Sequence, residues 1–300
     1  MKPYSKIFIL RIILVLLITT TGCYDKVNSP APEFDTKPVV NAIIVAGNEI
    51  TVRVSLAVPF SSKKVPVVDN AEVLLYVNNE LTDPLEHIGE GVYESQLVAQ
   101  EETEYRCEVT IPGYPTATGS AFIPKHQDVS IVEHINFSGN DEEGMPYPAI
   151  KISFENQPNK LQYFQVVIMV SEEDYTSTQK YSSPIIDPVL LSEGLSLLVF
   201  SNKTIQGNSY TMTINYNNDR NIYLHNGVII QSFTPIQVEL RSITYDYYKY
   251  VRQLYLYERS NGDINFSPNT TPTFKLHSNI KNGYGVFAGY SSTNSEIFNP

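Results

Sequence analysis

The acidic side chains are the first place to look for chemistry in this sequence. Asp141-Glu142-Glu143 lies in a glycine-flanked stretch, and Glu172-Glu173-Asp174 follows a strongly apolar run. Paired carboxylates can hydrolyse glycosides, one as acid and one as base or nucleophile, and they can hold calcium. Neighbouring carboxylates in a loop generally point apart into solvent, so solvated acids are expected. Calcium binding, and hydrolysis carried by Asp141, Glu142, Glu173 and Asp174, are kept as alternatives. The histidines His87, His126, His134, His225 and His277 are never closer than eight residues. None forms the i, i+4 pair of helical zinc hydrolases, and each is expected at the surface. The sequence holds no Gly-x-Ser-x-Gly elbow and no Gly-x-x-x-x-Gly-Lys-Ser/Thr phosphate loop. In Gly283-Tyr284-Gly285-Val286-Phe287-Ala288-Gly289 the third glycine comes one residue too late for a dinucleotide turn. It reads instead as a glycine-rich terminal strand packed closely on another backbone. No catalytic, cofactor or metal residue is assigned.

Cysteine carries the one modification site. Lys2, Lys6 and Arg11 precede the apolar run Ile12 to Ile18, and Thr19-Thr20-Thr21-Gly22-Cys23 follows. Seven apolar residues are too few to cross a bilayer, which takes roughly 20 as a helix. Positive, apolar and then small residues is the order of a secretory signal. With Cys directly after Thr21-Gly22, the segment resembles a bacterial lipoprotein signal, which implies cleavage after residue 22 and acylation of Cys23. Ordinary cleavage nearby, with Cys23 incidental, is the alternative. Residues 23–36 contain Asn28-Ser29-Pro30-Ala31-Pro32 and no apolar period, so they read as a flexible tether. Cys107 would then have no disulfide partner. It shares a strand face with Tyr105, Val109 and Ile111 and is expected as a buried thiol.

Composition narrows the classes further. Hydrophobic residues make up 42% of the 300 and charged residues 18%, which excludes a disordered polyelectrolyte. The net charge of −11 becomes −14 once the three positive charges before Cys23 are removed. That argues against nucleic acid as a partner and against electrostatic adhesion to anionic lipid. Any membrane attachment must therefore come from acyl chains, each buried methylene contributing about 0.8 kcal/mol. Tyr is abundant at 21 and Trp absent. Stacking on sugar rings is one reading of the tyrosines, but Tyr210, Tyr216, Tyr247 and Tyr250 recur at strand or helix spacing and are expected to pack the core.

The fold class expected is all-β. Val39–Val45, Ile50–Val58, Ala71–Val77, Val92–Val98, Tyr105–Ile111 and Ala117–Ile123 alternate like strands between turn residues. They are similar to transthyretin-like or immunoglobulin-like β-sandwich modules, which gives a first domain at 37–125. A second β-rich domain spans 126–300, with strands at Ile150–Phe154, Tyr163–Val170, Leu195–Phe200, Tyr210–Tyr216, Val228–Phe233 and Ile236–Leu240. Ser138–Met145 and Asp219–Asn226 are expected to be its long loops. One helix is expected over 242–260, with Ser242 as N-cap and Ile243, Tyr247, Tyr250, Val251, Leu254 and Tyr257 forming one apolar stripe. Tyr248, Tyr255 and Leu256 lie off that stripe, so a second side of the helix should also be covered.

The C-terminal residues carry a resemblance. Leu240-Arg241-Ser242-Ile243 opens the Tyr-rich helix, Asn265-Phe266-Ser267-Pro268 follows, and then comes Ser278-Asn279-Ile280-Lys281-Asn282 ahead of the glycine run. Upstream stand Phe200-Ser201-Asn202 and Gly207-Asn208-Ser209-Tyr210. With Cys23 and the Val39 to Val58 start, the chain resembles the lipoproteins of domain-of-unknown-function family 4249. The resemblance implies a Bacteroidota outer-membrane lipoprotein on the periplasmic or cell-surface face. It also implies an accessory role in uptake beside a TonB-dependent transporter, and together with the missing catalytic constellation the leading expectation is a non-enzymatic accessory or ligand-binding partner, with a small molecule or glycan as ligand. A hydrolase or glycan-processing enzyme with a loop-built site is the alternative, and a structural or adhesive surface protein the third. The family carries no catalytic or binding residue to transfer.

Overall fold

Alternation of apolar and polar residues builds almost every strand. A computed structural model describes residues 35–59, 62, 64–82, 84–172, 175–179, 184–217, 222–262 and 276–300. The expected signal, Cys23, nearly all of the tether, Glu173 and Asp174 lie outside the described residues. In β1 (Pro38–Val45) and β2 (Glu49–Leu56) every second side chain is buried, as a strand with one face on a core requires. β3 (Glu72–Val77), β4 (Glu80–Leu81), β5 (Glu86–Gly89), β6 (Val92–Val98), β7 (Thr103–Thr110) and β8 (Ala117–Ile123) complete the first half. The order β1-β2-β6-β5 forms one wall, and β4-β3-β7-β8 forms a separate sheet. Val40, Ile44, Val52 and Tyr93 from the first meet Leu75, Tyr105, Cys107 and Ile123 from the second in one apolar core. That is the expected β-sandwich.

The second half repeats the scheme less regularly. β9 (Val129–Asn140), β10 (Pro146–Glu155) and β14 (Ser209–Asn215) form a three-stranded sheet. It covers β11 (Tyr163–Glu172) and β17 (Ile236–Ile243), with Ile150, Ile152, Phe164, Phe200, Met212 and Leu240 in the shared core. β12 (Tyr175–Gln179) and β13 (Val199–Ser201) both pair with β11, while β15 (Ile222–His225) and β16 (Val228–Gln231) form a hairpin. α1 (Pro188–Ser192) is a short helix capped by Asp187, whose carboxylate accepts from the Val189 amide at 2.9 Å. Two expected loops are thus partly strand. Residues 138–140 extend β9 to a tight turn at 141–145, and 222–225 are β15.

The expected helix 242–260 is displaced. α2 runs from Tyr245 to Gly262, because Ser242 and Ile243 are held in β17 by pairing with Phe164 and Tyr163. Thr244 takes the N-cap role, its Oγ1 accepting from the Tyr247 amide at 3.2 Å. After α2 the chain returns as β18 (Phe287–Asn294), which lies antiparallel to β17 and parallel to β1. The walls of both halves therefore join into one sheet, ordered β12-β11-β17-β18-β1-β2-β6-β5 with β13 attached to β11. Residues Thr36 to Pro300 form a single compact unit. The expected boundary at 125 falls between the two cores, but Ile280 and Phe287 return to the first core and Phe298 packs on the second.

The glycine run makes that seam. Gly285 has φ +109°, and a Cβ there would collide with the Val40 carbonyl; one at Gly289 would collide with the Ile44 carbonyl. Only glycine lets β18 and the residues before it approach β1 so closely. Asn279 holds the turn ahead of β18, accepting from the Phe287 amide at 2.9 Å and donating to the Phe287 carbonyl at 2.8 Å.

Candidate functional site

The cleft where the two cores meet is assembled from three backbone segments that polar side chains hold in irregular paths. The first is the link after β8. Ser291 Oγ of β18 donates to the Pro124 carbonyl, and Thr293 Oγ1 to the Gln127 carbonyl, each at 2.7 Å. His126 Nδ1 pairs with Glu101 Oε1 at 2.6 Å. These bonds place Phe122, Pro124, Lys125 and Gln127 along one side of the cleft.

The second segment is the loop between β10 and β11, organised by one buried amide. Asn202 Nδ2 donates to Asn156 Oδ1 at 2.9 Å and to the Gln157 and Lys160 carbonyls at 3.2 and 2.9 Å, while its Oδ1 accepts from the Gln162 amide at 2.9 Å. The loop is thereby wrapped around Asn202 and presents Gln157, Lys160, Leu161 and Gln162 to the cleft. The third segment is the end of β17 with the start of α2, Ser242 to Tyr245, beside Tyr163 at the start of β11.

Aromatic rings line one side. The Tyr163 centroid is 5.3 Å from that of Tyr245 and 4.7 Å from that of Tyr248. Behind them Glu193 Oε2 accepts from the Tyr248 hydroxyl and from Arg252 Nη1 at 2.9 Å, which fixes the first turns of α2. Burial, followed by the nearby Tyr245 and Glu193, pushes the Tyr163 phenol up, so it stays neutral at physiological pH.

The cleft is open to solvent and holds about 280 Å³, close to the lower end of small-molecule sites, roughly 300 Å³. Ser242 is 2% exposed, and its Oγ and the Gln162 Oε1 are buried with no hydrogen-bond partner among the described residues. Arg241 Nε and Gln253 Oε1 are likewise buried and unpaired among the described residues. The rim carries Lys125 and Lys160 against the single carboxylate of Glu102. The described lining offers hydrogen bonding, ring contact and charge.

The residues singled out from sequence fall elsewhere. Asp141 Oδ1 accepts from the Glu143 and Met145 amides at 3.0 and 2.8 Å, so this carboxylate caps the β9–β10 turn, with Glu142 and Glu143 exposed beside it. Among the described residues no three His, Cys, Asp or Glu side chains converge as a metal site. The expectation of surface histidines is corrected for His126, His134 and His277, which are half-buried and paired, with Glu101, Tyr216 and Asp246 respectively. Burial pulls the His134 imidazole below its usual range. Cys107 is fully buried, its thiol pushed up to about 12 by burial and then by Glu108. Tyr216 is core and Tyr210 packs against it, but Tyr247 and Tyr250 are half-buried on α2. The cleft rings are Tyr163 and Tyr245, which the periodicity did not single out. Tyr248, off the expected stripe, was the available pointer.

The chain belongs to the family described as domain of unknown function DUF4249, whose model matches residues 24–296. It is the family that the C-terminal motifs resemble. No curated protein matches the chain.

Proposed function

We propose that this member of the family is a non-enzymatic lipoprotein of the Bacteroidota outer membrane that binds a small ligand in the cleft and serves a TonB-dependent transporter. The observation that carries the binding role is the cleft of about 280 Å³ between the two cores, lined by Phe122, Leu161, Tyr163 and Tyr245 with Lys125 and Lys160 beside them. Such a lining, mostly apolar with a few convergent polar groups, is how small-molecule sites are generally built. The anchor is supported by Thr21-Gly22-Cys23 after a positive and apolar start. Among the described residues no helix is long and apolar enough to cross a membrane. The transporter partnership is supported by the family resemblance.

Purification of the full chain from native membranes tests the reading. A TonB-dependent transporter should be recovered with it, and Cys23→Ala should move the protein into the soluble fraction. Repeated recovery without any transporter overturns the accessory role. Unchanged membrane retention of Cys23→Ala overturns the anchor.

A further inference from the structure

We propose that His134 is a proton-operated clamp on the β15–β16 hairpin, closed while its ring is neutral and released when the ring takes up a proton. The clamp is independent of the cleft. His134 lies beside Phe298, which pairs with Ile236 at the start of β17, whereas the cleft takes Ser242 to Tyr245 at the other end.

Topology makes the hairpin depend on its base. β15 and β16 pair with each other and with no other described strand, and a lone two-stranded hairpin is only marginally stable in water. The chain leaves the second sandwich at Tyr216, whose amide donates to the Pro148 carbonyl at 3.2 Å, and comes back at Phe233, just before β17. Both residues meet one ring. His134 Nε2 is 2.7 Å from the Tyr216 hydroxyl, and the Phe233 centroid is 4.7 Å from that of His134 in a T-shaped arrangement.

Hydrogen-bond roles define the closed state. His134 Nδ1 is 2.9 Å from Asn136 Oδ1, an oxygen that only accepts, so Nδ1 carries the proton and Nε2 accepts from the Tyr216 hydroxyl. A second proton, on Nε2, turns that acceptor into a donor. Tyr216 must then withdraw its own donation, and among the described residues its hydroxyl bonds to nothing else. Nor does a carboxylate answer the new charge. Ile150 stands opposite on β10, Phe233 packs from the segment before β17, and Phe298 from the C-terminal segment. The Tyr216 phenol, kept neutral by burial, is the titratable group that faces the ring. Glu133 beside it on β9 is paired with Lys151, while His225 of the hairpin and Glu296 of the C-terminal segment are exposed. Burial accordingly holds the imidazole below its usual range. The clamp is therefore closed above the ordinary value of about 6.5 and loosens as pH falls below it.

Hydrogen exchange of the full chain, read as protection factors so that the intrinsic pH dependence drops out, tests this. From about pH 7 to about pH 5 the amides of β15 and β16 should lose protection about tenfold, while those of β10 keep theirs. His134→Gln offers Tyr216 an acceptor that takes no proton, and should make the hairpin insensitive to pH. Tyr216→Phe should show the acid level of protection already at pH 7. By NMR the His134 ring of the unaltered chain should titrate below about 6.5. A midpoint at or above that value, unchanged hairpin protection at pH 5, or the same loss in His134→Gln overturns the clamp. Full protection in Tyr216→Phe at pH 7 does so too, as does equal loss in β10, which would mean that the whole sandwich weakens.

Discussion

The two cores are stabilised by different kinds of interaction. Thr103 is the single buried polar residue described before residue 126, whereas Gln127, Asn156, Asp187, Asn202, Asn215, Ser242, Thr244, Ser291 and Ser295 are all buried after it. The first core is held by apolar burial, which is non-directional and follows from alternation in the strands. The second adds directional bonds from Asn202, Asp187 and Glu193, which fix backbone paths that no ladder would produce. A cleft needs such paths, since regular strands pack without gaps. The site consequently sits where polar ties dominate, and the first sandwich serves mainly as a wall for it.

The largest expected effect lies at the seam that both cores share. Gly285→Ala combines a strained φ with a collision against the Val40 carbonyl, and should destabilise the chain by roughly 3–5 kcal/mol. Because β18 completes one sheet for both halves, urea unfolding followed by hydrogen exchange should show amides of β2 and β11 losing protection together. Loss confined to one half would mean the two cores are separable.

Next come the interiors themselves. Leu75→Ala should cost about 3–4 kcal/mol in the first core, and Leu75→Met less than about 1.5, because volume rather than direction matters there. Asn202→Ala should cost about 2–3 kcal/mol, and Asn202→Leu should be no better, since the Gln157 and Lys160 carbonyls lose their donor in either case. Denaturant midpoints of the four variants decide it. Rescue of Asn202 by an apolar residue would show that the second core also rests on volume alone.

This difference also explains what was legible in the sequence. Val92–Val98 and Ala117–Ile123 were readable to the residue because alternation and turn residues coincide with the ladders. The start of α2 was not, because Ser242-Ile243 can cap a helix or extend a strand, and the pairing with β11 decides. The glycine run 283–289 was expected as a close-packed strand, and the close packing is there, but β18 begins only at Phe287 and runs on to Asn294. That it would lie between β1 and β17 was not foreseen, since no local pattern records a pairing across more than 240 residues. The cleft was illegible for the same reason. Its lining comes from three distant segments, and Asn202, which shapes one of them, looks in sequence like any turn residue. Asp141 was visible as chemistry and proved to be a turn cap, because a carboxylate two residues before an amide in a tight turn is satisfied locally.

A smaller effect concerns the thiol buried in the first core. With the Cys107 thiol raised to about 12, the native chain should resist iodoacetamide at pH 8 and react once unfolded. Above the usual thiol range the unfolded chain loses a proton that the folded chain keeps. Stability should therefore fall as pH rises from about 9 toward 12, and Cys107→Ala should flatten part of that decline. Rapid native alkylation would mean that the core opens there more readily than its burial implies.

The smallest effect contrasts two buried polar side chains of the second half, one unpaired and one fully bonded. A buried hydroxyl that bonds nothing in the protein has lost its water without compensation, so its removal should leave folding unharmed or improve it. Ser242→Ala should change stability by no more than about 1 kcal/mol, in the stabilising direction, although Ser242 is as buried as the core residues around it. Asn202→Ala, at similar burial, should cost several times more, because its amide is bonded on all sides. A cost above about 2 kcal/mol for Ser242→Ala would show that its hydroxyl has a structural partner.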